Sequence, residues 1–531
     1  MKLLPSIFTL LFCTVAFGQD IKQRNSSDTH KEVFKISLED YEDRVHAIWA
    51  GQIIATLMAL PSEHTVASVK WIDQIQPQLR SRLLDDDWYY EMIAIKGFEK
   101  YGTEMTAAEL GEMWKENKCG SWGSSAEARK LLDEGVKAPL TGHPLYNRFW
   151  FTIGPQFSAD VYGALSPGRP NLAGRMARQY GHVNGYAEGA DGAVFVATAI
   201  SLGFIEKDTK TIVRKAASIL DDKSPYKKCL NMVIAMAEGG TPVQEILETI
   251  EQKWHIEYPN TNNAVANGGI IAACLWFGEG DFLKTVNLAS RSLDFTDSDC
   301  NAANAAGVIM AMKGTSGIPS GLMQQLGDRI IGDKMGKIEF VPAIDESITE
   351  LSKRTALIGQ KILLKNGASI SAKGLSIPLD QIIPQPAELF SLAEYTKTWN
   401  PAWQLAGAGF FGPKGGTYLD LDQNVLVTYP RDEVRRLNLS RIINLKQQKE
   451  LKIIAGSDTD RPWELVVYVD DEKVNSTVIE SVSENQKWQE VLVDLKKYQG
   501  QEVKIRIFQN VLIKASNKLG GSAYWKNITI L

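Results

Sequence analysis

Apolar residues recur at helical spacing over the first two-thirds of the chain. "DRVHAIWAGQIIATLMAL", Asp43 to Leu60, carries them at three- and four-residue intervals. So do "TPVQEILETIEQKW" and "GGIIAACLWFGEGDFLKTVNLASRSL". Glycine and proline punctuate these segments, and no convincing alternating strand precedes about residue 415. The pattern predicts one all-α domain over residues 36–367. Residues 368–414 break the period. "SIPLDQIIPQPAELF" is interrupted by prolines and "AGAGFFGPKGG" by glycines, as in a linker or packed connector. Beyond this the period becomes two. "ELKIIAG", "WELVVYVDDEKV", "WQEVLVDL", "QEVKIRIFQNVL" and "SAYWKNITIL" predict a β-sandwich over residues 415–531. The expected fold class is multidomain: an all-α domain followed by a β-sandwich.

The N-terminus has a different pattern. In "MKLLPSIFTLLFCTVAFGQDIKQ", Lys2 precedes an apolar run from Leu3 to Phe17, with small residues at Ala16 and Gly18. Residues 1–18 read as a signal peptide cut before Gln19, so the expected location is secreted or periplasmic. Phe12 stands before Cys13 where a bacterial lipoprotein signal wants a small residue, so no lipid anchor is expected. No later run is expected to approach the length of a transmembrane helix, and residues 20–35 read as a loose polar leader.

The 531 residues carry a formal net charge of -5 with no long basic run, which argues against a nucleic-acid partner. Past the signal, Cys119, Cys229, Cys274 and Cys300 are scattered, with no C-x-x-C pair. They admit two disulfides in an oxidising compartment. A chain this long does not need them, and buried free thiols are the expectation.

Two acidic clusters stand before helical segments. Asp85, Asp86 and Asp87 precede "WYYEMIAIKGFEKYG", and Asp297 and Asp299 open "DSDCNAANAAGVIMAMKG". One helix N-terminus needs one capping Asp. Adjacent carboxylates repel one another, but together they offer hard oxygen ligands. Such clusters without a His or Cys pair favour Mg²⁺, Mn²⁺ or Ca²⁺ over Zn²⁺. Capping is the alternative for either cluster taken alone.

The gapless stretch "DRVHAIWAGQIIATLMALPSE" resembles the opening motif of the ADP-ribosylglycohydrolase family, with Asp43, Arg44, Gly51, Pro61 and Glu63 on motif positions. "DDDW" resembles the family's T-D-D-T motif and "DSDCNAA" its D-x-D-T-N-x-A motif. The resemblance covers roughly residues 36–330. It implies an all-α, metal-dependent hydrolase of bonds at a sugar C1. One or two Mg²⁺ (or Mn²⁺ or Ca²⁺) ions would be held by Asp85, Asp86, Asp87, Asp297 and Asp299. Glu63 would be the flexible acid near the site, with Asp86 or Asp87 sharing the base role.

The departures are specific. Ala55-Thr56 replaces Gly-Asp, Asp85 replaces a Thr, and Cys300 replaces the metal-binding Thr. The N-G-x-x-M-R loop that holds phosphates is not found. Polar residues of Phe151–Gly192, namely Gln156, Asp160, His182, Asn184 and Asp191, together with Asn267, are candidate ligands of neutral sugar hydroxyls. The expected function is a secreted metal-dependent glycosidase acting on a carbohydrate or glycoside other than ADP-ribose. The alternatives are a true ADP-ribosyl hydrolase and a non-catalytic glycan-binding protein. The C-terminal region resembles galactose-binding-like jelly rolls. Its Trp463, Trp488, Tyr524 and Trp525 would either stack on sugars or fill the core.

Overall fold

The computed structural model describes residues 32–531 apart from 78, 80–84, 145, 148, 256–261, 336–337, 389–398, 407, 415–424, 431–436, 458–460, 481–487 and 513–521. The expected signal peptide lies outside the described residues.

The helix Leu38–Ala59 runs through the centre of the helical domain. Ser37 caps it, its hydroxyl accepting from the Asp40 backbone N–H at 3.0 Å. Every residue from Ala47 to Ala59 is buried. A helix that is apolar all round belongs in a core. Together with the short turn after it, this helix is long and apolar enough to cross a membrane, but 83% of its apolar window is buried in the domain. The expectation that no later run has that character is corrected accordingly. It packs along the helix Ser298–Lys313. The close approach occurs at Gly51, where a Cβ would lie 2.4 Å from Met310 Cγ. Helices Glu188–Gly203, Ala264–Gly278 and Ile348–Lys365 surround the pair.

Asp43 and Arg44 hold this core together. Asp43 accepts from the Thr315 backbone N–H at 3.1 Å and its hydroxyl at 2.5 Å. Arg44 donates to the Phe204 and Ala311 carbonyls at 3.1 and 3.2 Å. The Arg44 bonds satisfy carbonyls near two helix C-termini. The first two motif positions are therefore structural.

The domain is not purely helical. Val33–Ile36 pairs antiparallel with Gly374–Pro378, which pairs with Ser369–Ser371. A hairpin, Arg329–Met335 with Ile338–Ser347, stands between two helices. Its alternation is broken by Gly332, Asp333, Lys334 and Pro342, so the period-two signal is weak. It buries Ile330, Met335, Phe340 and Ile344 and exposes Ile331 and Val341.

The expected connector over 368–414 is likewise revised. Its first part joins the small sheet. Gln385 then donates its backbone N–H to the Ile219 carbonyl at 2.7 Å. Its last part, Gln404–Ala406 and Ala408–Lys414, supplies an edge strand to each sandwich sheet. Glycine and proline content reads as loop locally, whereas strand pairing is decided by distant partners.

The sandwich has two five-stranded antiparallel sheets. One runs in the order Gln489–Asp494, Glu450–Ser457, Ala523–Ile530, Val425–Pro430, Ala408–Lys414. The other runs Glu472–Ile479, Trp463–Val469, Glu502–Val511, Leu437–Asn444, Gln404–Ala406. Residues of both sheets share one apolar core. Trp463 and Trp525 lie inside it, donating to the Gly456 carbonyl and the Thr428 hydroxyl at 3.0 and 2.7 Å. Tyr524 is also buried. Of the four aromatic candidates only Trp488 is partly exposed, with the Lys526 ammonium 5.2 Å from its ring centre.

Candidate active site

The two acidic helix starts meet at one pocket of about 840 Å³. Asp85 caps the helix Asp86–Tyr101, accepting from the Asp86 backbone N–H at 2.7 Å. Asp297 precedes the helix Ser298–Lys313, and Asp299 lies in its first turn. The end of the central helix brings Glu63 beside them. One cap per helix would not require the remaining acids.

Donor atoms of Asp85, Asp86 and Asp87 lie within 4.8 Å of one another, as do those of Asp297, Asp299 and Cys300, and those of Glu63, His64 and Asp297. Asp297 belongs to two of these groups and joins them. Glu63, Asp85, Asp86, Asp297 and Asp299 line the pocket, while Asp87 sits behind it, buried. Thr56 Oγ1 donates to Asp87 Oδ2 at 3.2 Å and Cys300 Sγ to Asp87 Oδ1 at 2.8 Å.

The loops carrying Glu63 and Asp297 are zipped together. His64 donates its backbone N–H to the Thr296 carbonyl at 2.9 Å, and Phe295 donates to the Thr65 carbonyl at 2.6 Å. His64 and Phe295 have φ of 49° and 59°, a costly region for residues with a Cβ. The strain is held by these cross-loop bonds. It places the His64 ring 3.5 Å from Glu63 and 3.7 Å from Asp297.

The acids perturb one another. Burial first, and then Asp297 and Asp85, push Glu63 up to about 8. Burial first, and then neighbouring acids from both clusters, hold Asp87 and Asp299 well above the carboxylate range. Asp86 is raised by burial and by Asp85 and Asp87. Among the described residues, no lysine or arginine forms an ion pair with the five aspartates. Asp297 Oδ1 and Asp299 Oδ1 are buried without a hydrogen-bond partner. Unpartnered hard oxygens among mutually repelling acids suit a divalent cation. The cluster could hold one or more such ions, and the Cys300 thiol is the one soft donor among them.

The candidate sugar ligands lie elsewhere. Gln156, Asp160, His182, Asp191 and Asn267 are not among the residues lining the pocket. Gln156 accepts from the Tyr226 hydroxyl at 2.9 Å. Asp160 accepts from Asn304 at 2.8 Å. Asp191 pairs with Arg178 at 2.6 Å and accepts from Ser224 at 2.5 Å. His182 lies 3.0 Å from Glu388. Asn267 donates to the Asn263 carbonyl and accepts from Asn301, both at 2.8 Å. Asn184 donates to Ser125 at 3.0 Å. These are polar partners within and around the core, and a sequence does not separate such a residue from one that binds a ligand.

Other residues form the walls. Trp122, 57% exposed, stands at the start of the helix Gly123–Asp133, and Ser124 follows with its hydroxyl unpartnered. Asn262 donates to Asp297 Oδ2. The hairpin adds Ile331, Gly332, Asp333, Lys334 and Met335. The glycine- and serine-rich "CGSWGSS" before a helical stretch is the signal that would have flagged Trp122 and Ser124.

Fold and pocket define a helical domain with an acid-centred pocket. The ADP-ribosylglycohydrolase family matches over residues 37–357, and the chain belongs to that family. No curated protein matches. Among solved structures, an "ADP-ribosylglycohydrolase-related protein complex" is 14% identical, covering 61% of this chain and 99% of that chain, at a TM-score of 0.40. A "Carbohydrate binding module family29" is 13% identical over 24% of this chain and 76% of that chain, at a TM-score of 0.16. A glycoside hydrolase family 43 arabinoxylan arabinofuranohydrolase from Bacillus subtilis is 11% identical over 31% of this chain and 32% of that chain, at a TM-score of 0.19. Overlaps this small say nothing about what the sandwich binds.

Proposed function

We propose that the protein is an exported, divalent-metal-dependent glycoside hydrolase that cleaves the anomeric C1 bond of a sugar other than ADP-ribose. The observation that carries this reading is the lining of the pocket. Glu63, Asp85, Asp86, Asp297, Asp299 and Asp333 face it, against Lys334 and the His64 ring, and no arginine is present among the described lining residues. Such a surface offers a pyrophosphate no guanidinium fork and suits neutral hydroxyls.

Asp297 and Asp299, with their unpartnered oxygens, and Asp85–Asp87 opposite would hold the ion. When bound, it would fix sugar hydroxyls and make a bound water more acidic. Glu63 is the proton-handling group. It is 35% exposed and 3.5 Å from His64, so it reaches both the pocket and a proton acceptor. Its carboxylate, which would be ionised with a cation offsetting Asp85 and Asp297, takes the proton of the attacking water as the C1 bond to the leaving group breaks, the leaving atom takes a proton from solvent, and Asp86 stabilises the positive charge that develops at the anomeric carbon. Asp87 positions Thr56 and Cys300 behind the acids. Trp122 and the hairpin bound the space left for the leaving group. The apolar run within residues 1–18 supports export, where glycans and glycosides are the substrates at hand.

The test is turnover of a glycoside panel and of ADP-ribosylated peptides, with Mg²⁺, Mn²⁺ or Ca²⁺ and with EDTA. The expected result is metal-dependent release from a glycoside only. Release from ADP-ribosylated peptide alone would overturn the substrate assignment, and full activity in EDTA would overturn the metal requirement.

A further inference from the structure

Three helices carry a second polar layer one turn beneath the pocket. The upper layer is Thr56, Asp87 and Cys300, joined by hydrogen bonds to the Asp87 carboxylate. Moving four residues away from the pocket along each helix reaches Gln52, Glu91 and Asn304, roughly 5–6 Å deeper. Asp160, at the start of the helix Asp160–Ala164, joins them. All four side chains are fully buried.

Their hydrogen bonds leave a consistent remainder. Gln52 Nε2 donates to Glu91 Oε2 at 3.0 Å, and Asn304 Nδ2 donates to Asp160 Oδ1 at 2.8 Å. With the amide nitrogens engaged, one oxygen of each residue has no partner: Gln52 Oε1, Glu91 Oε1, Asp160 Oδ2 and Asn304 Oδ1. Gly307 leaves the Asp160 carboxylate its space, since a Cβ there would come within 2.3 Å of Oδ2. Among the described residues, neither acid has a lysine, arginine or histidine ion-pair partner. Buried charges without a counter-charge are strongly unfavourable.

We infer that Gln52, Glu91, Asp160 and Asn304 form a second cation site, distinct from the pocket and taking a hard divalent ion of the calcium class. Two carboxylates, each able to bind through both oxygens, and two amide carbonyls offer about six oxygens, the lower end of what Ca²⁺ takes in irregular geometry, whereas Mg²⁺ demands a regular octahedron and keeps its waters. The ion neutralises the pair and braces the helices that present the upper layer. The inference stands apart from the hydrolase reading, because none of these residues lines the pocket.

The experiment measures Ca²⁺ bound per chain by atomic emission, after EDTA stripping, reloading and gel filtration, together with the calcium-induced rise in Tm. Wild type is compared with Glu91→Gln and Asp299→Asn. Glu91→Gln is expected to lose one equivalent of Ca²⁺ and part of the Tm rise while the pocket still binds. Asp299→Asn is expected to lose a different equivalent, so the double variant loses both. Unchanged Ca²⁺ content and an unchanged Tm response in Glu91→Gln would overturn the site and assign the pair a shared proton instead. If Glu91→Gln does not fold, Asn304→Asp adds a carboxylate at nearly constant volume. It should bind Ca²⁺ about tenfold more tightly, and unchanged or weaker affinity would overturn the proposal.

Discussion

Stripped of divalent ions, the protein should lose stability as pH rises, and Glu91→Gln should remove much of that loss. Burial pushes Glu91 from the usual 4.5 up to about 8. Between those values the folded chain holds a proton that the unfolded chain has released. The contribution is therefore fully present below about pH 4.5, shrinks as pH rises, and is gone above about pH 8. Its full extent is on the order of 5 kcal/mol, falling by about 1.4 kcal/mol per pH unit for one proton. Asp160 is raised by burial and by Glu91, so the two titrate as a pair and the Glu91→Gln substitution relieves Asp160 as well. Urea unfolding in EDTA at pH 5 and pH 8 gives the comparison. Wild type should lose about 4 kcal/mol more than Glu91→Gln across that interval. Parallel profiles, agreeing within about 1 kcal/mol, would refute the claim that burial without a counter-charge sets the state of this pair.

Glu63→Gln should lower turnover on a confirmed substrate by roughly 10²–10⁴-fold, the usual worth of a positioned acid or base, with metal affinity kept; near-normal turnover would remove Glu63 from the chemistry. Cys300→Thr replaces a weak thiol donor on Asp87 with a hydroxyl and should tighten Mg²⁺ binding by roughly tenfold in a calorimetric titration, whereas weaker binding would contradict the role given to this contact. N-terminal sequencing of exported protein should find Gln19 first; Met1 retained would refute the leader.

The site was legible where its chemistry is dense in sequence. Asp85–Asp87 and Asp297/Asp299 each exceed what one helix cap needs, and Glu63 ends a gapless motif. His64 was not legible, because its place depends on a left-handed backbone set by the Thr296 carbonyl. The hairpin was missed because Gly332, Asp333, Lys334 and Pro342 interrupt its alternation, although it walls the pocket. Asp43 and Arg44 sat on motif positions, yet they tie helix ends together. Gln156, Asp160, His182, Asp191 and Asn267, expected around a sugar, do not line the pocket. Each is a polar residue engaged by distant partners such as Tyr226, Asn304, Glu388, Arg178 and Asn301. In the sandwich, alternation located the strands from Glu450 onward. The two edge strands before residue 415 were hidden by glycine and proline, because their pairing is long-range.

The central claim is that the two acidic helix starts form one metal site. The most direct measurement is anomalous diffraction from crystals of the full chain soaked in millimolar Mn²⁺, beside crystals of Asp299→Asn. The account predicts a peak within coordination distance of Asp297 and Asp299 oxygens and of at least one of Asp85, Asp86 and Asp87, weakened or lost in Asp299→Asn. A map with no peak between the two clusters in the wild-type protein would contradict it.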